Sequence, residues 1–564
     1  MKTSKISLPH IFTGIMLISA MISCDLDEYN PSGTTAEAIW STSDGVETLI
    51  ASAYKWQRKV FYEKYGFTLF ETGVDLWESN SWTQITQYKG LQPDNDSGCG
   101  AVWQYLYEGI NMCNIGINYI ENGKVEYTDE TLKTTHLAEF KFLRGWYNWI
   151  LVEQWGAVTL RTEPTDGVIL TARRSSVSDF YELIINDLQY AAENAPMSQD
   201  DAGRITQKAA EGLLARAALS GAYQVPDKES EYLTIAKNAA DNVINNQSAY
   251  GVELYDNYAD IWDEDNNKNN KEALFVITFS TEEANNESNG NTWWQLFKFN
   301  YMKVHSELIM SYEYGFKDKN KWGDPSFTYP SKALFDLYDE TIDSRYEDSF
   351  RTVWKKNASD DITEPATGDT ALYVSINSGS KPSPGKDYVY YNIDDIYDAD
   401  GTVKAYSNPF PALKKFDSPK YNGYYKKTRY GLLDHIIIRL SEMYLIAAEV
   451  EMLQGDNANA ASYINVIRNR AAKSGKEAEM QISSGDINID FILAERAREF
   501  CGEGLRWFDL KRTGKLVEYV RACNKGPAAD NIQDYHMVRP VPSEELDALE
   551  NRTEYVQGLT GYNY

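Results

Sequence analysis

Cysteine and histidine are both scarce, with five of each in 564 residues. So few dispersed cysteines exclude a disulfide-framed fold, and so few histidines leave no His-rich metal site. His136, His305, His435 and His536 stand apart in sequence, and each fits a structural role. Basic side chains are also short, 55 against 83 acidic ones, for a formal charge of −28. A chain this acidic repels phosphate backbones, so no nucleic acid is expected as a partner. Glycine-rich phosphate loops and the CxxC, HExxH and GxSxG patterns are missing. Asp394, Asp395, Asp398 and Asp400 match a calcium loop only loosely, because the alternating ligand spacing that ends in Gly is not kept. No cofactor, no metal and no catalytic residue is therefore assigned. Beyond residue 24 no apolar run approaches the roughly 18 residues that a spanning helix needs.

The one apolar stretch lies at the start. Lys2 and Lys5 precede Ile11–Ile22, which is broken only by small residues. This pattern reads as a secretory signal over residues 1–23. Met21-Ile22-Ser23-Cys24 has the form of a lipoprotein cleavage site, which makes Cys24 the lipidation residue. Several acyl chains are needed for stable anchoring, since each buried methylene contributes only about 0.8 kcal/mol. Residues 24–40, opening Asp25-Leu26-Asp27-Glu28, form an acidic tether that holds the folded body off the membrane. Within that body Cys99 and Cys113 either pair or remain buried thiols.

Helical periodicity comes in pairs. Phe140, Leu143, Tyr147, Ile150 and Leu151 share a face and are followed by Phe180, Tyr181, Ile184 and Leu188. Ala210, Leu213, Leu214, Ala217 and Ala218 precede Ala236, Ala239, Ala240 and Val243. Leu440, Met443, Tyr444, Ala447 and Ala448 lead through Gly455-Asp456 to Ala460, Tyr463, Ile467 and Ala471. Further helices are expected near Val46–Lys59 and Val102–Ile120. Small residues set among large aromatics let antiparallel helices approach closely, as in tetratricopeptide hairpins. Residues 251–435 lose this period and are rich in Asn, Asp, Gly, Ser, Tyr and Trp, with one strand candidate at Leu274–Phe279. The expected fold is mainly α: a tetratricopeptide-like scaffold over 41–250 and 436–564, carrying a loop-rich ligand-binding insertion with few short strands over 251–435.

Aromatics are abundant, with 40 Tyr, 20 Phe and 14 Trp. A sugar ring packs its C–H face on a flat aromatic while its hydroxyls seek polar side chains at the edge. Two clusters have that composition. Trp77, Asn80, Trp82 and Tyr88 lie among Asp, Ser and Gln, and Trp293, Trp294 and Trp322 lie in or near an Asn-, Ser- and Gly-rich stretch. These seven residues are the candidate glycan site, one cluster to each wall. Trp103, Trp146 and Trp149 sit on helical faces and belong to the core. Glu499 and Glu503, bracketed by Arg496, Arg498 and Arg506, read as a salt-bridge network and not a catalytic pair.

Several segments together resemble the SusD-like (RagB) family of outer-membrane, glycan-binding lipoproteins. They are Cys24-Asp25-Leu26-Asp27, then Ala138–Tyr147 running into Gln154-Trp155-Gly156, then Leu440–Glu449 with Val466–Ala471. The strongest is Glu495-Arg496-Ala497-Arg498-Glu499-Phe500, followed by Glu503-Gly504-Leu505-Arg506-Trp507-Phe508-Asp509-Leu510-Lys511-Arg512. The closing Gln557-Gly558-Leu559-Thr560-Gly561-Tyr562 departs slightly from the family's usual ending. The resemblance implies a non-catalytic cell-surface lipoprotein of the outer membrane. Its implied partners are an oligo- or polysaccharide and a SusC-like TonB-dependent transporter, for which it acts as a lid in polysaccharide utilisation. The competing classes are an envelope glycoside hydrolase and a scaffold or peptide-uptake lipoprotein without glycan binding.

Overall fold

A computed structural model describes residues 35–62, 64–96, 98–280, 293, 297, 328–355, 369–382, 388–406, 409–416, 418 and 431–564. Cys24, Trp294, Trp322 and His305 lie outside the described residues. Helix α1 spans Ser43–Tyr62 and a short α2, Lys64–Glu71, follows it. The long helices are then α3 (Cys99–Glu121), α4 (Glu130–Trp155), α5 (Val177–Asn194), α6 (Gln207–Gln224), α7 (Glu229–Asn245), α8 (Leu440–Leu453) and α9 (Asn457–Ala471).

Each long helix packs on the next, from α1 on α3 through to α8 on α9. Glycines set the close approaches. A Cβ on Gly116 of α3 would lie 2.3 Å from the Phe140 ring of α4, and one on Gly109 would lie 2.6 Å from the Tyr147 ring. Polar residues start the helices. Asp129 accepts from the Thr131 amide at α4, Ser176 and Asp179 form a capping box at α5, and Asp456 accepts from the Asn459 amide at α9. Gly455, at φ +87°, makes the turn between α8 and α9 that no side-chain-bearing residue adopts easily. The apolar faces read from the sequence are buried, among them Leu143, Ile150, Leu213, Ala217, Met443 and Ile467, all at zero exposure. The protein is thus mainly α, built on tetratricopeptide-like hairpins, with a few short strands.

Helix α7 packs directly on α8, so the helical array continues past everything between residues 246 and 439. The excursion leaves and rejoins through one ribbon. Strand β2 (Ala273–Ile277) pairs antiparallel with β7 (His435–Arg439). Other strands that bear on the argument are β1 (Trp77–Glu78), β3 (Tyr329–Pro330), β4 (Val353–Lys355) and β5 (Thr370–Val374). With β6 (Val389–Tyr391), β4 and β5 form a three-stranded sheet, while β1 pairs antiparallel with β3. Among the described residues no helix is long and apolar enough to cross a membrane.

Cys99 and Cys113 are both free and buried. They lie on the same helix, separated by about 21 Å of helical rise, so they cannot bond to each other. In the aspartate-rich turn, Asp395 accepts from the Asn392 amide and Asp400 from the Thr402 amide. These carboxylates serve turn and cap geometry, and among the described residues no group of three His, Cys, Asp or Glu is placed to hold a metal.

Candidate ligand-binding site

The loop from α2 to α3 carries the first aromatic cluster, and buried polar contacts shape it. Asp75 takes a two-pronged contact from Arg506, at 2.9 and 2.5 Å. Glu71 accepts from the amides of Gly502 and Gly504 and from Trp77 Nε1, at 3.1, 2.8 and 3.1 Å. Burial lifts the Glu71 carboxyl to about 8, against the pull of those N–H donors. Asn524 donates to the carbonyls of Val74 and Trp77. The polar residues of this stretch therefore fasten it to the molecule.

The exposed part begins at Asn80. Trp82 is half-buried, its ring packed on the edge of the core, and it opens a single helical turn over Thr83–Thr86. Trp82 and Tyr88 have φ of +50° and +56°, and among the described residues they are the non-glycine residues in the left-handed region. Such conformations cost about 1–3 kcal/mol each and persist where surrounding contacts over-determine them. Here Thr86 Oγ1 donates to the Ser81 carbonyl at 2.7 Å, and Gln87 Nε2 donates to the Ser79 carbonyl at 2.6 Å. The Tyr88 hydroxyl donates to the Gly73 carbonyl, also at 2.6 Å. The result is a stiff loop that presents Asn80, Ser81, Trp82 and Gln84 at or near the surface.

Three expected platforms prove to be core. Trp77 is 1% exposed and packs on Phe297 at 4.7 Å between ring centroids, and Tyr88 is 3% exposed. Trp293 is 1% exposed, lies edge-on to Phe67 at 4.8 Å and donates Nε1 to the Gly502 carbonyl. Their rings are covered by protein and offer no face to a sugar. Trp294 and Trp322 lie outside the described residues, so of the seven candidates Asn80 and Trp82 remain at the surface. The two clusters nevertheless meet. Phe297 packs on Trp77, β3 pairs with β1, and Ser331 Oγ donates to the Asp75 carbonyl at 2.8 Å. The segment bearing the second cluster is thus anchored on both sides to the loop bearing the first.

The Glu/Arg-rich segment forms helix α10 (Ile489–Glu499) and helix α11 (Arg506–Arg512). Glu499 is fully buried and accepts from Arg439 at 2.6 Å, from Arg345 at 3.1 Å and from Arg470. Glu495 accepts from Arg345, Arg468 and Arg498. Burial pushes both carboxyls up, but the arginines outweigh it and hold them well below the ordinary carboxylate range. A glycosidase acid must stay protonated near neutrality, so neither glutamate can fill that role. The arginines adjacent in sequence are engaged elsewhere, Arg496 with Asp509 and Arg506 with Asp75. The partners of Glu499 come from residues 345, 439 and 470, which no local spacing reveals. A pocket of about 10 Å³ among Arg216, Glu442, Arg496, Asp509 and Arg512 holds at most one water and no sugar ring.

The helical array forms a tetratricopeptide-like hairpin scaffold with the stiff loop on its surface. Two family models divide the chain: that described as the SusD family matches residues 261–557, and that described as starch-binding associating with outer membrane matches residues 26–219. The chain belongs to the SusD family. It is 25% identical to a SusD-like protein of Formosa agariphila over 96% of each chain. It is likewise 25% identical to a SusD-like protein of Bacteroides ovatus, over 89% of this chain and 81% of that one. Among solved structures, a laminarin-binding SusD-like protein superposes with a TM-score of 0.65 at 20% identity, over 90% of this chain and 97% of its own. NanU of B. fragilis superposes at 0.67 and 18% identity, over 95% and 100%.

Proposed function

We propose that this protein is a cell-surface lipoprotein of the outer membrane that binds an oligo- or polysaccharide and passes it to a SusC-like TonB-dependent transporter. In this reading it is the transporter's lid and catalyses nothing. The observation that carries the reading is the strained, tightly bonded loop that ends in exposed Asn80 and half-exposed Trp82. A ring fixed in advance beside hydrogen-bonding side chains loses little entropy when a sugar stacks on it. Trp294 and Trp322, on the segment anchored beside that loop, form the second wall in this reading. Support also comes from the family itself, one of whose models names starch binding and the outer membrane, and from a structural relative named for laminarin. The Cys24 anchor and the acidic tether place the body at the membrane surface.

Calorimetry with a glycan found by screening tests the site. Trp82→Ala is expected to weaken binding by about 2 kcal/mol, roughly thirtyfold, in a variant whose cooperative melting curve shows it still folded. Parent-like affinity in that variant overturns the site.

A further inference from the structure

Residues paired directly across two antiparallel strands share one face of the ribbon. In the β1–β3 ribbon, Glu78 stands opposite Tyr329, while Trp77 turns its ring to the core. Tyr406, from the far end of the excursion, lies against this pair. Its ring packs on Tyr329 at 4.9 Å between centroids, and its hydroxyl donates to Glu78 Oε2 at 2.8 Å. Tyr406 is half-buried, and Asn80 is exposed two residues beyond Glu78.

Glu78 is an expensive residue to keep here. It is 3% exposed, and its second oxygen, Oε1, has no hydrogen-bond partner among the described residues. Burying an incompletely bonded carboxyl destabilises a fold. The site also makes a demand on its neighbour: a Cβ on Gly526 would come within 2.6 Å of Glu78 Oε2 and push the carboxyl out of its present place. The arrangement gains a bond to the Lys525 backbone and one tyrosine hydroxyl held at a fixed point on the strand that leads into the Asn80–Trp82 loop.

The geometry points to Tyr406 as a glycan-stacking wall of the Asn80–Trp82 site, with Glu78 as the positioning residue that fixes its ring. This rests on the glycan-binding reading above and adds a residue that no local sequence pattern singles out. The ligand part involved is the C–H face of a pyranose ring, met by Tyr406 as well as by Trp82.

The test uses affinity gels of the mature protein containing laminarin, soluble starch or xylan, with melting curves for each variant. Tyr406→Ala and Glu78→Ala are each expected to weaken retardation about tenfold. Glu78→Gln, which keeps an acceptor for the hydroxyl, is expected to bind like the parent at the same melting temperature. Hydroxyl-radical footprinting of the parent, which depends on no variant folding, is expected to show the retarding polysaccharide protecting Tyr406. Loss of binding in Trp82→Ala with parent-like binding in Tyr406→Ala overturns this inference and leaves the glycan reading standing. An unprotected Tyr406 in the bound parent does the same. A parent retarded by none of the three polysaccharides overturns both.

Discussion

Glu499 shows how much one side chain can join. Its carboxylate holds Arg439 at the start of α8, Arg470 at the end of α9 and Arg345 from within the 251–435 segment. Removing one member of a buried ionic cluster leaves opposite charges uncompensated, at about 3–5 kcal/mol. Glu499→Ala is therefore expected to lower the denaturation midpoint by that amount or to abolish soluble expression. A normal midpoint accompanied by loss of a hydrolytic activity would contradict the structural role. The tryptophans teach a related lesson. Trp77 and Trp293 read as surface residues because Asp, Ser, Asn and Glu surround them in sequence. The neighbours of Trp77 prove to be buried too: Asp75 is paired with Arg506, and Glu78 is bonded to Tyr406. A polar neighbourhood signals solvent only when its partners lie in water, and a local window does not show an arginine more than four hundred positions away.

Among the elements, the hairpins were legible because their signal is local. The small-and-aromatic stripes of α4 and α5, α6 and α7, and α8 and α9 repeat at helical period, and Gly455-Asp456 marks a turn by conformation and cap. What the stripes omit is which hairpin meets which, since α7 against α8 is a contact between distant parts of the chain. The strand expected at Leu274–Phe279 is β2, at Ala273–Ile277, and its partner β7 begins at the close of the same excursion. The α3–α4 interface offers a sharp test. Gly116→Val places branched carbon where the Phe140 ring now lies, an overpacking that costs about 1–3 kcal/mol. Chemical denaturation is expected to show a lower midpoint for Gly116→Val, partly restored when Phe140→Leu makes room. A double variant no more stable than Gly116→Val alone would contradict this packing.

At the scale of the whole molecule, pH acts on several buried groups together. Burial lowers His435 and His536 to about 4, so the folded protein keeps them neutral while the unfolded chain protonates them near the ordinary value. Stability is then full above about pH 6.5 and falls as pH drops towards 4. Glu495 and Glu499, held below the ordinary range, add a further loss below about pH 4.5. Glu71 has the opposite sign: its raised value costs stability as pH climbs from about 4.5 to 8. Melting temperatures across pH 4–9 are expected to peak near pH 6–7, with an acid limb shallower in His536→Asn and an alkaline limb flattened in Glu71→Gln. A flat profile from pH 4 to 7 would contradict the buried histidines. Attachment is a separate matter of the tether. Cys24→Ala is expected to move the protein from the membrane fraction into the soluble one, and retention after carbonate washing would count against the lipid anchor.

The contact between α7 and α8 has a further consequence for how the molecule is made. Synthesis runs from the amino end, so α7 is made roughly two hundred residues before the helix that covers it. During that interval the side of α7 that α8 will cover stands open. The nascent protein is thus a half-built stack with a sticky end, exposed to wrong partners until α8 arrives to close it.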